Sequence, residues 1–372
     1  MVIKKENIQN NILIASLFSA VILLIGVGLG FSYSINKVTE TSIIDNNYAY
    51  IMKQMFHLFI ALTVMIAAIF IDVELYKKFM KLITIATIIL LIMTLIPSIG
   101  KIVGGARRWI NLGFIQFQPS ELAKISILIY TSAMLSKKED TIKDFYKGIL
   151  PPLIVVTFIS ALILVENDFS TPFLILLVVF FMLFLSGAEF LSLLILIFVG
   201  ILASIMGIFF EQYRMKRLLG FFDPWGDPLK GGWQYIQSMK CFALGGFWGK
   251  GFGNSTQKYL TLPEARNDYV FAIIAEEGGA IFSLVIVLLF VAFAISGLMI
   301  ARNCKEDRYK FLLAAGITIF IFFQAMTNIG VSVGLLPSTG IQLPFVSSGG
   351  TSLVVFSFCI GMLISIAKTN NV

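Results

Sequence analysis

The residues best suited to chemistry stand where polar segments meet apolar ones. Asp268 follows Leu262-Pro263-Glu264-Ala265-Arg266-Asn267 at the head of a long apolar span. A carboxylate in that place either caps the helix, worth about 1 kcal/mol, or does chemical work at the boundary of a bilayer. A second group runs from Arg107, Arg108 and Trp109 to Gln118-Pro119-Ser120-Glu121-Leu122-Ala123-Lys124. Pro119, Ser120 and Glu121 suit the first turn of a helix, and Glu121 and Lys124, three residues apart, share a helix face. Charges inside an apolar span are costly and face a cavity or a partner. They form an internal ion pair that locks the bundle, or Lys124 joins Arg107 or Arg108 in gripping an anion, for which the planar guanidinium fork suits phosphate. Glu166 and Asp168, in the turn Glu166-Asn167-Asp168-Phe169-Ser170-Thr171-Pro172, could hold a divalent cation such as magnesium or manganese, although a capping turn is favoured. Ser347 and Ser348, in the hydroxyl-rich segment 334–352, either hydrogen-bond a polar headgroup or satisfy local backbone. Gly245, Gly246, Gly249, Gly251 and Gly253 match no phosphate-binding fingerprint and are read as permitting tight turns.

The elements that must position these groups are membrane helices. Hydrophobic residues make up 58% of the 372 and charged residues 13%, against about 45–50% and about 25% in soluble domains. The apolar runs have helical length and lack the two-residue alternation of membrane strands. The expected fold is therefore an all-α polytopic membrane protein of about ten transmembrane helices, with spans near 11–32, 55–72, 82–99, 119–136, 149–166, 171–187, 190–210, 268–300, 311–333 and 349–367. A large outer loop, 211–267, separates the seventh from the eighth. Residues 1–372 read as one membrane domain; span one is read as an anchor rather than a cleaved signal. The eighth span is too long for a simple crossing, and Glu276, Glu277, Gly278 and Gly279 are expected at or near the outer surface. Segments 100–118, 211–267 and 334–348 are irregular and fall on one side, which points to a shared site.

Lys4, Lys5, Lys77, Lys78, Lys81, Lys137, Lys138, Lys143, Lys147, Arg302, Lys305, Arg308, Lys310 and Lys368 fall in one set of loops. By the positive-inside rule both termini are expected in the cytoplasm and the large loop outside. The net charge of +7 is an orientation signal; basic residues scattered over both sides of a membrane do not make a nucleic-acid surface. Cys241, Cys304 and Cys359 are too dispersed for a disulfide framework, and His57, the one histidine, is expected at an interface rather than in a histidine-based or zinc site.

Four stretches taken in order, GGARRWI…FQPSELAK, FFDPWGDPLKGGWQYIQS, GFGNSTQKYLTLPEARNDYVFAIIAEEGG and GLLPSTGIQLPFVSSGGTSL, resemble the SEDS family (shape, elongation, division and sporulation) over nearly the whole chain. The run at 253–258 is more similar to its division and sporulation branches than to the elongation branch. The resemblance implies a peptidoglycan glycosyltransferase of the bacterial cytoplasmic membrane that polymerises lipid II at the outer face. It implies Asp268 as the essential acid, here read as the general base, and its conserved charged groups match Arg107 or Arg108, Glu121 and Lys124; Trp109, Lys258, Glu264, Ser347 and Ser348 are further substrate-binding candidates. Its implied partners are a class B penicillin-binding transpeptidase and other division-complex membrane proteins. The chain departs from the family's usual Gln-Pro-Asp-Leu-Gly-Thr at Glu166-Asn167-Asp168-Phe169-Ser170-Thr171, and from His-Thr-Asp-Phe at Arg266-Asn267-Asp268-Tyr269. The competing classes are a lipid II flippase, against which the lack of an internal repeat counts, and a scaffold for the transpeptidase. An elongation-type role in cell shape is the alternative within the family.

Overall fold

In the computed structural model, residues 2–39, 47–103, 106–111, 116–209, 212–229, 231–259, 262 and 267–369 are described. Long apolar runs with no proline in their interiors become helices, because only an internally bonded backbone is tolerated in lipid. In chain order they are α1 (Val2–Thr39), α2 (Asn47–Phe70), the short α3 (Val73–Lys78), α4 (Met80–Leu95), α5 (Pro119–Lys137), α6 (Leu150–Val165), α7 (Ser170–Leu185), α8 (Phe190–Phe209), α9 (Gln212–Phe222), α10 (Trp233–Gly245), α11 (Val270–Asn303), α12 (Arg308–Ser332) and α13 (Gly350–Thr369). A helix occupies each of the ten expected spans. Among the described residues seven are long and apolar enough to cross a membrane, and Met80–Leu95 and Ser170–Leu185 are shorter apolar helices. α5 carries the buried pair Glu121 and Lys124.

α12 and α13 form the centre, with most of their length buried. Phe320 of α12 and Phe356 of α13 pack 6.0 Å apart. α1 lies along α11, with Ser16 and Ser296 hydrogen-bonded across the pair at 3.0 Å. At one end the connections converge: Arg308 pairs with Glu139 at 3.2 Å, the Tyr309 hydroxyl donates to the Val73 carbonyl, and Ser365 donates to the Ile71 carbonyl.

The opposite end departs from the expected pattern in three ways. Segment 100–118 is not simply irregular: it builds a small antiparallel sheet of β1 (Gly100–Val103), β2 (Ala106–Asn111) and β3 (Gln116–Phe117), with Gly100 opposite Ile110 and Ile110 opposite Phe117. The large loop holds two helices, α9 and α10. Finally, α11 is broken at Gly279 (φ 75°, ψ −177°), and Glu276 and Glu277, just before the break, are buried within the protein. Partners explain that burial: Glu276 accepts from Lys250, Ser255 and Thr256, and Glu277 from Ser34 of α1 and Lys258. A Cβ on Gly279 would stand 2.4 Å from the Gly249 nitrogen, so the left-handed backbone and the close approach both require glycine there.

Candidate active site

The site begins at the N-terminus of α5. Pro119 opens the helix without wasting a backbone donor. One turn of spacing then joins Lys124 Nζ to Glu121 Oε1 at 2.7 Å. Glu121 Oε2 accepts from the Ser352 hydroxyl at 2.9 Å, and Lys124 Nζ also donates to Gln324 Oε1 at 3.4 Å. The ammonium lies 5.5 and 5.7 Å from the Phe320 and Phe356 ring centres, where the ring faces favour a cation. The two readings of this pair are compatible: the ion pair ties α5 to α12 and α13, and it lines an open cavity.

That cavity, about 130 Å³, is lined by Arg108, Trp109, Glu121, Lys124, Asp168, Gln324 and the segment Gly340-Ile341-Gln342, among others. The sheet delivers Arg108 to it. Its Nε donates to the Glu166 carbonyl at 3.0 Å, its Nη2 donates to the Asn167 carbonyl, and its Nη1 stands 3.9 Å from Asp168 Oδ2. Arg107 does not line the cavity; its guanidinium donates to the Leu95 carbonyl. Asp168 accepts from the Thr171 backbone N–H at 3.1 Å and hydroxyl at 2.9 Å, which is the capping role favoured from the sequence.

Glu166 stands one residue beyond the apolar stretch Phe145–Val165 and is almost fully buried. Burial, above all, pushes its carboxyl up to about 7, reinforced by Asp168; the Thr94 hydroxyl and Arg108 pull the other way. The Thr94 hydroxyl reaches the Leu91 carbonyl at 2.6 Å and also donates to Glu166 Oε1, a contact that favours the ionised carboxyl and only partly offsets burial. An acid whose carboxyl is raised to about 7 thus stands where the resembled family usually has glutamine.

Asp268 lies at the rim. It is half-buried, and its Oδ2 is 3.7 Å from where a Cβ on Gly340 would stand. Asn328 of α12 holds both walls: its Nδ2 donates to the Asp268 carbonyl at 2.9 Å and to the Ile341 carbonyl at 2.7 Å. Two carbonyl neighbours fix the orientation of that amide. One turn earlier, Gln324 donates to the Gln342 carbonyl at 3.1 Å. Ser347 donates to the Asn267 carbonyl at 2.6 Å and accepts from the Leu343 N–H, so it positions the chain beside Asp268. Ser348 instead meets Ser32 of α1 at 3.1 Å. Lys258 is sequestered against Glu277, Ser34 and the Gly253 carbonyl and does not line the cavity. Glu264 lies outside the described residues.

Reading the sequence missed Gln324 and Asn328. The signal was there: two amides four residues apart on one face of an otherwise apolar span, where unsatisfied polar groups are expensive. For a divalent cation the donor set fits poorly. Among the described residues no group of three or more Asp, Glu, His or Cys converges. Glu121 is paired with Lys124, Asp168 accepts from Thr171 at the start of α7, and Glu166 is buried with a raised carboxyl.

The profile of the cell cycle protein family FtsW/RodA/SpoVE matches residues 15–372. The probable peptidoglycan glycosyltransferase FtsW of Aliivibrio salmonicida is 34% identical over 341 residues, 91% of this chain and 85% of that protein. Its namesake from Escherichia coli O6:H1 is 37% identical over 313 residues, 83% and 75% of the two chains. Among solved structures, a chain of a peptidoglycan synthase complex that coordinates polymerization and crosslinking superposes with a TM-score of 0.79 at 24% identity, covering 95% and 97% of the two chains. The rod shape determining protein RodA of Thermus thermophilus does so at 0.69 and 21%, covering 95% and 96%.

Proposed function

The chain belongs to the FtsW/RodA/SpoVE family of cell cycle proteins, and from that premise we propose that it is a peptidoglycan glycosyltransferase of the division type, polymerising lipid II with Asp268 as general base. The observation that carries the reading is the placement of the Asp268 carboxylate beside Gly340, at the rim of a cavity walled by Arg108 and Lys124.

The reaction asks for little more. The donor sugar leaves on a lipid diphosphate through an α bond and the product linkage is β, so one in-line displacement suffices. The acceptor 4-hydroxyl oxygen bonds to the donor's anomeric carbon as the bond to the diphosphate oxygen breaks. The hydroxyl proton passes to Asp268, and the diphosphate departs with the bonding pair. A general base contributes about 10²–10⁴ in rate. A diphosphate needs cations rather than a proton donor, and Arg108 and Lys124 supply them by fixed electrostatics. At about 130 Å³ the cavity is smaller than the roughly 300–1,000 Å³ of small-molecule sites; it suits the charged diphosphate, with sugars and lipid tails lying outside it. A divalent cation arriving with the diphosphate would meet carboxylates already engaged, and no step is assigned to it. The partner is a class B penicillin-binding transpeptidase within the division complex, a reading supported by the FtsW name of the relatives and by the synthase complex above.

The test is polymerisation of lipid II by purified protein, with and without the transpeptidase. Wild type is expected to give a ladder of glycan strands. Asp268→Asn, folded and membrane-inserted, is expected to give none. A ladder from the mutant removes the base assignment; a wild type that moves lipid II across vesicles and makes no ladder replaces polymerase by flippase.

A further inference from the structure

The break in α11 sets a depth. Its 34 residues would run about 51 Å as one rod, whereas a hydrocarbon core needs only about 20 residues. Residues 280–303, about 36 Å long, cross by themselves. Burial agrees: residues 270–277 are all buried, and an exposed apolar stripe of Ile281, Leu284, Val285 and Leu288 starts directly after Gly279. A second marker lies on α1, where Ser34 donates to Glu277 at 2.8 Å just as the apolar stretch Asn10–Ile35 ends. The bilayer boundary therefore passes through Gly279 and Ser34.

The loop after α10 sits on that boundary. Gly246 and Phe247 carbonyls accept from Ala280 and Ile281, and Lys250 and Gly251 N–H groups donate to the Glu276 and Glu277 carbonyls, so the loop satisfies the backbone groups freed by the break. Phe247 and Trp248 point out of it, 75% and 84% exposed. Phe247 is bonded to the first residue of the exposed stripe, and Phe252 packs edge-on against Phe31 of α1 at 5.6 Å. The loop thus packs on α1 through Phe252 and bonds to α11 through Phe247, while Phe247, Trp248 and Phe252 all stay more than half exposed. Lys250 and Lys258 are paired with Glu276 and Glu277, which removes the loop's attraction for an acidic surface.

We propose that Phe247 and Trp248 are a lipid-binding edge, with their rings at the boundary between headgroups and acyl chains. Aromatic side chains prefer that level. The edge fixes the depth of α10 and of the Asp268-bearing end of α11. It rests on the membrane reading of α11 and stands whether or not Asp268 is the base.

The test uses the full chain in vesicles of neutral phosphatidylcholine. The three native cysteines are buried, so nitroxides on Phe247→Cys, Trp248→Cys and, as a water-exposed control, Glu306→Cys can be placed selectively. Collision with dissolved oxygen is expected to exceed collision with a water-soluble nickel chelate severalfold at 247 and 248, with the reverse at 306, and the ratio should not change with anionic lipid or high salt. On the unlabelled chain, lipids brominated near the acyl carbonyl should quench less fluorescence in Trp248→Phe than in wild type. Chelate-favoured collisions at 247 and 248, or equal quenching in both chains, overturn the proposal and leave the pair as a water-facing edge for a protein.

Discussion

At the scale of single residues, the charge balance of the cavity turns on Glu166. Arg108 and Lys124 face Glu121 and Asp168, so the walls are near neutral while Glu166 keeps its proton. A carboxyl raised to about 7 holds that proton more tightly in the folded chain than in the unfolded one. Its contribution to stability is therefore full below the unfolded value and declines as pH rises toward about 7. Through the same interval a negative charge develops beside Arg108, against a departing diphosphate. Polymerisation per unit of lipid II (kcat/KM) is expected to fall as pH rises past about 7, and Glu166→Gln should remove that limb and the matching loss in thermal stability. A wild-type profile flat from pH 6 to 8, or an unchanged limb in Glu166→Gln, refutes the account. The sequence located this residue and its departure from the family's glutamine. It did not reveal the raised carboxyl, which depends on how deeply the fold buries it.

At the scale of elements, α12 is the frame. Asn328 ties the Asp268 and Ile341 carbonyls together, and Gln324 ties Gln342 to Lys124. On the proposed mechanism the first amide serves the base and the second serves the cation. Asn328→Ala should lower kcat about 10²-fold, the loss expected when a reacting group shifts by about 1 Å, with little change in KM. Gln324→Ala should chiefly raise KM for lipid II. Steady-state kinetics that show the two variants losing the same parameter would deny this division of labour. The helical, membrane-type character of the apolar segments, the capping turn at Asp168 and the Glu121–Lys124 pair were legible because each follows from spacing along one element. The sheet, the choice of Arg108 over Arg107, and the burial of Lys258, Glu276 and Glu277 were not, because they depend on which segments meet in space. Gly340 shows the same limit: its backbone at φ 79° and its closeness to Asp268 depend on a loop about seventy residues further along the chain.

At the scale of the whole molecule, sidedness links the fold to its substrate. The connections carrying Lys77, Lys78, Lys137, Lys138, Arg308 and Lys310 gather at one end, tied by Arg308 to Glu139 and to the Ser186 carbonyl. The site lies at the other, where Ser170 donates to Thr339 and Thr351 to Gln116. Lysine and arginine in short loops stay on the cytoplasmic side, and on that rule we propose that the cavity opens at the outer face. Leu229, exposed in the connection between α9 and α10, and Glu306, exposed between α11 and α12, report on the two ends. Because the native cysteines are buried, a membrane-impermeant maleimide applied to intact spheroplasts should label Leu229→Cys at once and Glu306→Cys only after permeabilisation. The opposite pattern would put Asp268 in the cytoplasm, on the wrong side for extending an external glycan strand, and the polymerase reading would have to give way to one in which lipid II is handled before it crosses.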